Sequence, residues 1–300
     1  MRVRLRIGER PEAMATRVLI VGTGLIGASV GLALKAQGFG GSVAGWDADP
    51  RELAKALEVG AIDEALASRE AVLTPDAADI YVLATPVLPI LDWMQRLAPV
   101  LGEGQLVTDV GSTKLEISRL AEKLFNGPRQ AGFLPGHPMA GKESGGAALA
   151  DGALFRGATW LFTTAGPSTL EKQWRKWIAG MGALVRDLDA ERHDEVCAWV
   201  SHLPQMVSTA LAALLEDTFA GDPDGMAAVQ AIGGRALRET TRLGASPYSM
   251  WRDVALTNTE PIAQTLLALE QRLQHVRENL RTPELREEFA IANRFRNKPS

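Results

Sequence analysis

Three hundred residues carry 46% hydrophobic and 23% charged side chains, the balance of a globular chain with a sizeable core and about two domains. A formal net charge of −4 implies no broad basic surface, so nucleic acid is not an expected partner. The single cysteine, Cys197, excludes an intrachain disulfide framework and a cysteine zinc cluster and fits a reducing cytoplasm as a small buried helix residue; no apolar run is long enough to span a membrane.

Met1 to Ala13 are polar and basic and lack the apolar core of a signal peptide, and residues 1–15 read as a flexible extension ahead of the first strand or as a start-site artefact. That strand, Val18 to Val21, is apolar on both faces, as a central parallel strand is. Gly22-Thr23-Gly24-Leu25-Ile26-Gly27 follows it and opens a helix of small residues. Gly22 suits the tight turn, Gly24 the approach of a pyrophosphate, and Gly27 close packing of helix on strand. The helix start, Leu25 and Ile26, directs backbone N–H groups and partial positive charge at the phosphates. A second strand, Ser42 to Trp46, ends in Asp47, roughly 20 residues on, where a carboxylate accepts both ribose hydroxyls. Asp47 would repel a 2′-phosphate, so NAD is expected rather than NADP. The competing reading is a plain strand–helix turn with a solvated Asp47.

Arg51 to Leu57 reads as a helix begun by Asp49-Pro50. Further strands are Asp79 to Ala84, ended by Thr85-Pro86, and Gln105 to Val110, followed by Ser112, Thr113 and Lys114. "AGFLPGHPMAG" again places a polar cluster after a strand, and "ATWLFTT", a helix near Ser168 to Met181 and "ALVRDLD" complete the alternation. Strands alternating with helices imply a mostly parallel sheet whose ligands bind beyond the strands' carboxyl ends. Gly22, Asp47, Thr85, Ser112 and His137 all fall just past such ends. From about Asp189 no strand is expected. "HDEVCAWVSHLPQMVSTALAALLED" reads as a long helix kinked at Pro204, and two more helices follow. The expected architecture is α/β: a Rossmann-like sheet over 16–188, then an all-helical domain over 189–300 that buries part of its apolar face in a homodimer.

"GTGLIGASVGLALK", "DVGSTK", "GHPMAGKESGG", "HDEVCAWVSHLP" and "TRLGASPYSMW" occur in an order that strongly resembles the prephenate/arogenate dehydrogenase family of tyrosine biosynthesis, over roughly Arg17 to Leu280. The resemblance implies an NAD-dependent oxidative decarboxylation of prephenate to 4-hydroxyphenylpyruvate, or of arogenate directly to tyrosine, in a cytoplasmic dimer. It places His137 at the catalytic histidine, where an imidazole accepts the ring hydroxyl's proton. Ser112 takes a role beside it, although Ser is also well suited to a helix N-cap. Arg242 matches the carboxylate-binding arginine, where a guanidinium makes two hydrogen bonds; the alternative is a surface helix arginine. Trp251 and Glu143 match positions near the pocket, with core packing and a solvated loop as their alternatives. His202 is expected to brace the pocket beside the kink, His193-Asp194 to start the long helix as a capping and interdomain contact, and Lys114 to be a solvated helix residue.

The chain departs from a common family pattern at Gln205, which follows Ser-His-Leu-Pro where many prephenate-using members have histidine. Less positive charge there favours the ammonium of arogenate. No compact metal-ligand pattern such as His-Glu-x-x-His occurs, and the chemistry requires no metal. Rival readings are a non-catalytic nucleotide sensor and a β-hydroxyacid dehydrogenase. The latter relies on a lysine in its helical domain, and no lysine lies between Lys176 and Lys298.

Overall fold

The computed structural model describes residues 16–142, 144–163 and 168–298; the expected N-terminal extension lies outside them. The chain divides into two compact units. One runs to Asp194 and takes in Ser246–Thr257, and the other comprises Glu195–Ala245 and the chain from Asn258 onward.

In the first unit, β1 (Arg17–Val21), β2 (Ser42–Trp46), β3 (Glu64–Ala65), β4 (Ile80–Leu83), β5 (Leu106–Asp109) and β6 (Gly132–Leu134) form one sheet in the order β3-β2-β1-β4-β5-β6. Every neighbouring pair is parallel. Parallel neighbours need crossovers, and α1 (Leu25–Ala36), α2 (Pro50–Glu58), α3 (Arg69–Val72), α4 (Val87–Leu97) and α5 (Leu115–Leu124) lie in them. This is the doubly wound order, which reverses between β1 and β4 and leaves a crevice at their carboxyl ends.

Strand β1 explains why the sheet is covered on both faces. Val18 and Ile20 belong to a buried cluster with Ala28, Val30 and Leu34 of α1. Leu19 and Val21 belong to another, with Ile90, Trp93 and Leu97 of α4 and Ile117 of α5. All four strand residues are fully buried.

The remaining strands form a second sheet instead of extending the first. β7 (Gly136–Pro138) pairs antiparallel with β8 (Thr159–Phe162), which pairs parallel with β9 (Leu184–Asp187). Pro135 separates β6 from β7. It has no N–H for a ladder, and its carbonyl accepts from Thr163 N–H at 3.1 Å. His137 therefore follows the end of β6 by three residues but is the middle residue of β7, opposite Leu161. Helix α6 (Thr169–Gly180) links β8 and β9, and its Trp174 and Ile178 join Trp160 and Phe162 in the core.

The long helix expected after Asp189 is three pieces: α7 (Ala190–Cys197), a π-turn over Ala198–His202, and α8 (Leu203–Phe219). Pro204 sits in the first turn of α8. A proline there donates no hydrogen bond and crowds the carbonyl four residues back, and the wider π-turn relieves that conflict. The second unit continues with α9 (Pro223–Ile232), α10 (Gly234–Thr241), a 3₁₀ turn at Arg242–Ala245, α12 (Thr259–Glu278) and α13 (Pro283–Arg296). The segment α11 (Tyr248–Thr257) belongs to the first unit. Among the described residues no strand follows β9, and no helix is long and apolar enough to cross a membrane.

Candidate active site

The glycine turn is closely specified. Gly22 has φ +95°, and a Cβ there would lie 2.7 Å from the carbonyl carbon and oxygen of Ala84. A Cβ on Gly27 would run into the Gly22 carbonyl oxygen. Gly24 differs: a Cβ on it meets nothing within 4 Å. Gly24 is also the N-cap of α1, where no side chain caps the helix and no acidic residue occupies the first turn. An open approach at an uncapped helix N-terminus, framed by two glycines that cannot be enlarged, fits a dinucleotide pyrophosphate.

Asp47 ties this turn to the end of β2. One carboxylate oxygen accepts from Thr23 N–H at 2.6 Å and Thr23 Oγ1 at 3.3 Å, and the other from Asp49 N–H at 2.8 Å. Asp49 in turn caps α2 by accepting from Arg51 N–H. Hydrogen bonds from the Arg51 side chain and backbone hold its carboxyl at about 2. Thr85 and Pro86 lead into α4, which also has no side-chain cap at its N-cap residue. Asp253 of α11, fully buried, accepts from Leu88 N–H at 3.1 Å.

The turn after β5 is pinned the same way. Lys114, not Ser112, is the N-cap of α5, and it offers no side-chain cap. Asp194 caps instead, with Oδ1 accepting from Lys114 N–H at 2.7 Å and Oδ2 from Leu115 N–H at 2.9 Å. Ser112 is half-buried and is not used as the cap. Lys114 is fully buried and paired with the equally buried Asp109, contrary to the solvated position expected for it. Asp109 also accepts from Gly111 N–H at 2.8 Å and Gly136 N–H at 3.1 Å. One carboxylate thereby fixes both the residue before Ser112 and the residue before His137.

His137 is 8% exposed and sits on His193, with Nδ1 2.9 Å from His193 Nε2. His193 Nδ1 is 2.8 Å from Asp194 Oδ1, and both of these residues are buried. His193 thus contacts His137, and the capping is left to Asp194. Trp251, on α11, is half-buried in this first unit. Thr257 at the end of α11 bonds Thr113 hydroxyl to hydroxyl at 2.7 Å. Glu143 lies outside the described residues.

In the second unit, His202 is buried in the π-turn, its Nδ1 3.1 Å from Asn258 Nδ2. Gln205 is buried and donates through Nε2 to the Leu243 carbonyl at 2.7 Å and to Thr209 Oγ1 at 3.1 Å. It therefore secures the turn begun by the exposed Arg242. Sequence reasoning missed Asp109, Asp194 and Asp253 as site residues. The first carried a local signal, a carboxylate two residues before the Gly-Ser turn. The other two cap helices from about 80 and 165 residues away, a relation no local pattern encodes.

A family model described as "Prephenate dehydrogenase, nucleotide-binding domain" matches residues 30–190, and one described as "Prephenate dehydrogenase, dimerization domain" matches 189–292. The prephenate dehydrogenase of Lactococcus lactis is 34% identical over 245 residues, covering 81% of this chain and 65% of that protein. The chain thus spans just under two thirds of that relative's length. A prephenate dehydrogenase structure from A. aeolicus, in complex with hydroxyphenyl propionate and NAD+, aligns with TM-score 0.79 at 30% identity, covering 95% of this chain and 96% of the other. An arogenate dehydrogenase structure from Synechocystis aligns with TM-score 0.73 at 29% identity, covering 94% and 99%. With its nucleotide-binding model matched across more than half of its length, the chain belongs to the prephenate dehydrogenase family.

Proposed function

We propose that the protein is an NAD-dependent dehydrogenase that oxidatively decarboxylates prephenate to 4-hydroxyphenylpyruvate, with arogenate as the alternative substrate. The observation that carries this reading is the buried His137, whose preceding residue Gly136 is held by the same Asp109 that holds Gly111 before Ser112. The glycine turn 22–27, Asp47, Thr85 and Pro86 hold the cofactor, and a bound NAD supplies the hydride acceptor. His137 accepts the ring hydroxyl's proton as the carbonyl forms, Ser112 bonds the same hydroxyl, and loss of CO2 makes the ring aromatic. Arg242 takes a substrate carboxylate as a two-pronged donor, and His202, Gln205, Glu143 and Trp251 complete the substrate set.

We assign cofactor binding to 16–188 and dimerisation to 189–300. The second unit exposes large apolar side chains, including Trp199, Leu214, Ile232, Phe289 and Phe295, which suits burial in a homodimer. The reading is tested by steady-state kinetics with prephenate and arogenate, each with NAD and NADP. Turnover of either acid with NAD supports it. NAD binding without turnover of either would favour a nucleotide sensor.

A further inference from the structure

His137 needs a bare ring nitrogen to accept a proton, and a neutral imidazole has one on only one side. The chain His137–His193–Asp194 settles which side. Asp194 is an acceptor at both oxygens, from Lys114 N–H at 2.7 Å and Leu115 N–H at 2.9 Å. At the 2.8 Å contact between Asp194 Oδ1 and His193 Nδ1, the proton therefore belongs to the imidazole. A neutral His193 with its proton on Nδ1 has a bare Nε2, which accepts. At the 2.9 Å contact with His137 Nδ1, the donor is then His137, and its Nε2 is left bare.

We propose that His193 and Asp194 are positioning residues that hold His137 in its Nδ1–H tautomer and so make Nε2 the proton-accepting atom. This rests on the reading of His137 as the base of the reaction. The same chain accommodates the proton once it arrives. The substrate O–H bond breaks with its electron pair staying on oxygen, and an N–H bond forms at His137 Nε2. His137 Nδ1 then releases its proton to His193 Nε2, and the positive charge ends on His193 beside Asp194. No proton is lost to solvent in the step, in keeping with side chains that are 0% and 2% exposed at His193 and Asp194.

The test reads tautomers directly and needs no substrate. The chain has four histidines, so long-range proton–nitrogen spectra of 15N-labelled protein at mildly alkaline pH can be assigned by replacing each one. The expected wild-type result is a proton on Nδ1 and a bare Nε2 for both His137 and His193. Asp194→Ala removes the acceptor that holds the proton on His193 Nδ1, so both rings are released from the single Nδ1–H form. His193→Phe removes the acceptor and releases His137 from the Nδ1–H form. His193→Gln, whose oxygen accepts from His137 while its NH2 donates to Asp194, restores that form. kcat in Asp194→Ala falls by about 10²- to 10⁴-fold, the usual worth of a general base, and His193→Gln recovers part of the loss seen in His193→Phe. A wild-type His137 with its proton on Nε2 overturns the proposal whatever the activity, even if no variant folds. So does a His137 held in the Nδ1–H form alone in Asp194→Ala. If the tautomers are as stated and neither acid is turned over, the functional reading fails and the tautomer assignment stands.

Discussion

Asp109→Asn should be the most damaging isosteric change in the first unit. Asp109 and Lys114 are fully buried, and Asp109 also accepts two backbone N–H groups, from Gly111 and Gly136. Asparagine keeps one acceptor oxygen but turns an NH2 donor toward the other N–H, and the Lys114 ammonium loses its carboxylate. Removing one member of a buried ion pair costs about 3–5 kcal/mol. For a unit of this size each kcal/mol lowers Tm by about 2–4 °C, so a loss of roughly 6–20 °C is expected. Lys114→Met should cost a similar amount, because it leaves the carboxylate buried beside two amides only. The double variant should then be less damaged than the two losses added together, by at least about 1 kcal/mol, since the second change removes the charge the first one stranded. Urea and thermal unfolding followed by circular dichroism measure all three. Single variants melting within about 2 °C of wild type, or a strictly additive double variant, would refute the reasoning.

His137→Asn should lower kcat by about 10²- to 10⁴-fold with NAD affinity nearly unchanged, and a variant keeping most of its kcat would remove His137 from the base role. The wild type should prefer NAD to NADP in kcat/KM, and Asp47→Asn should narrow that preference; equal values in the wild type would mean that Asp47 does not face the ribose. Burial pushes the Tyr81 phenol up to about 12 against a usual value of 10. Its neutral form is the one the fold favours, so its stabilisation is full below about pH 10 and is lost as pH rises toward 12; in Tyr248→Phe, tyrosinate absorbance of the remaining tyrosine should show that late midpoint. Arogenate should be accepted at least as well as prephenate, and Gln205→His should shift kcat/KM toward prephenate. A wild type strict for prephenate and an unchanged variant would defeat that assignment.

The parts of this protein legible in its sequence are those governed by near neighbours. The strand from Ser42 to Trp46, the helix begun by Asp49-Pro50 and the turn at Gly22 follow from side-chain volume, proline and a positive φ, all local properties. The break between β6 and β7 was equally present in Pro135, yet one proline does not say which sheet the next strand will join. That choice lies with Thr163 and Phe162, which meet Pro135 and Gly136 from more than 20 residues away. The site was legible only as a row of residues after strands. What holds those residues still is distant and acidic. Asp194 and Asp253 place carboxylates at the N-termini of α5 and α4, two helices without side-chain caps of their own. A negative charge stabilises a helix start wherever in the chain it comes from, so the sequence around Ser112 or Thr85 need not contain it. The uncapped α1 shows the other side of that rule. Among the described residues its N-cap Gly24 makes no side-chain cap and its first turn holds no acid, and a dinucleotide's phosphates would complete there what aspartates complete at α4 and α5.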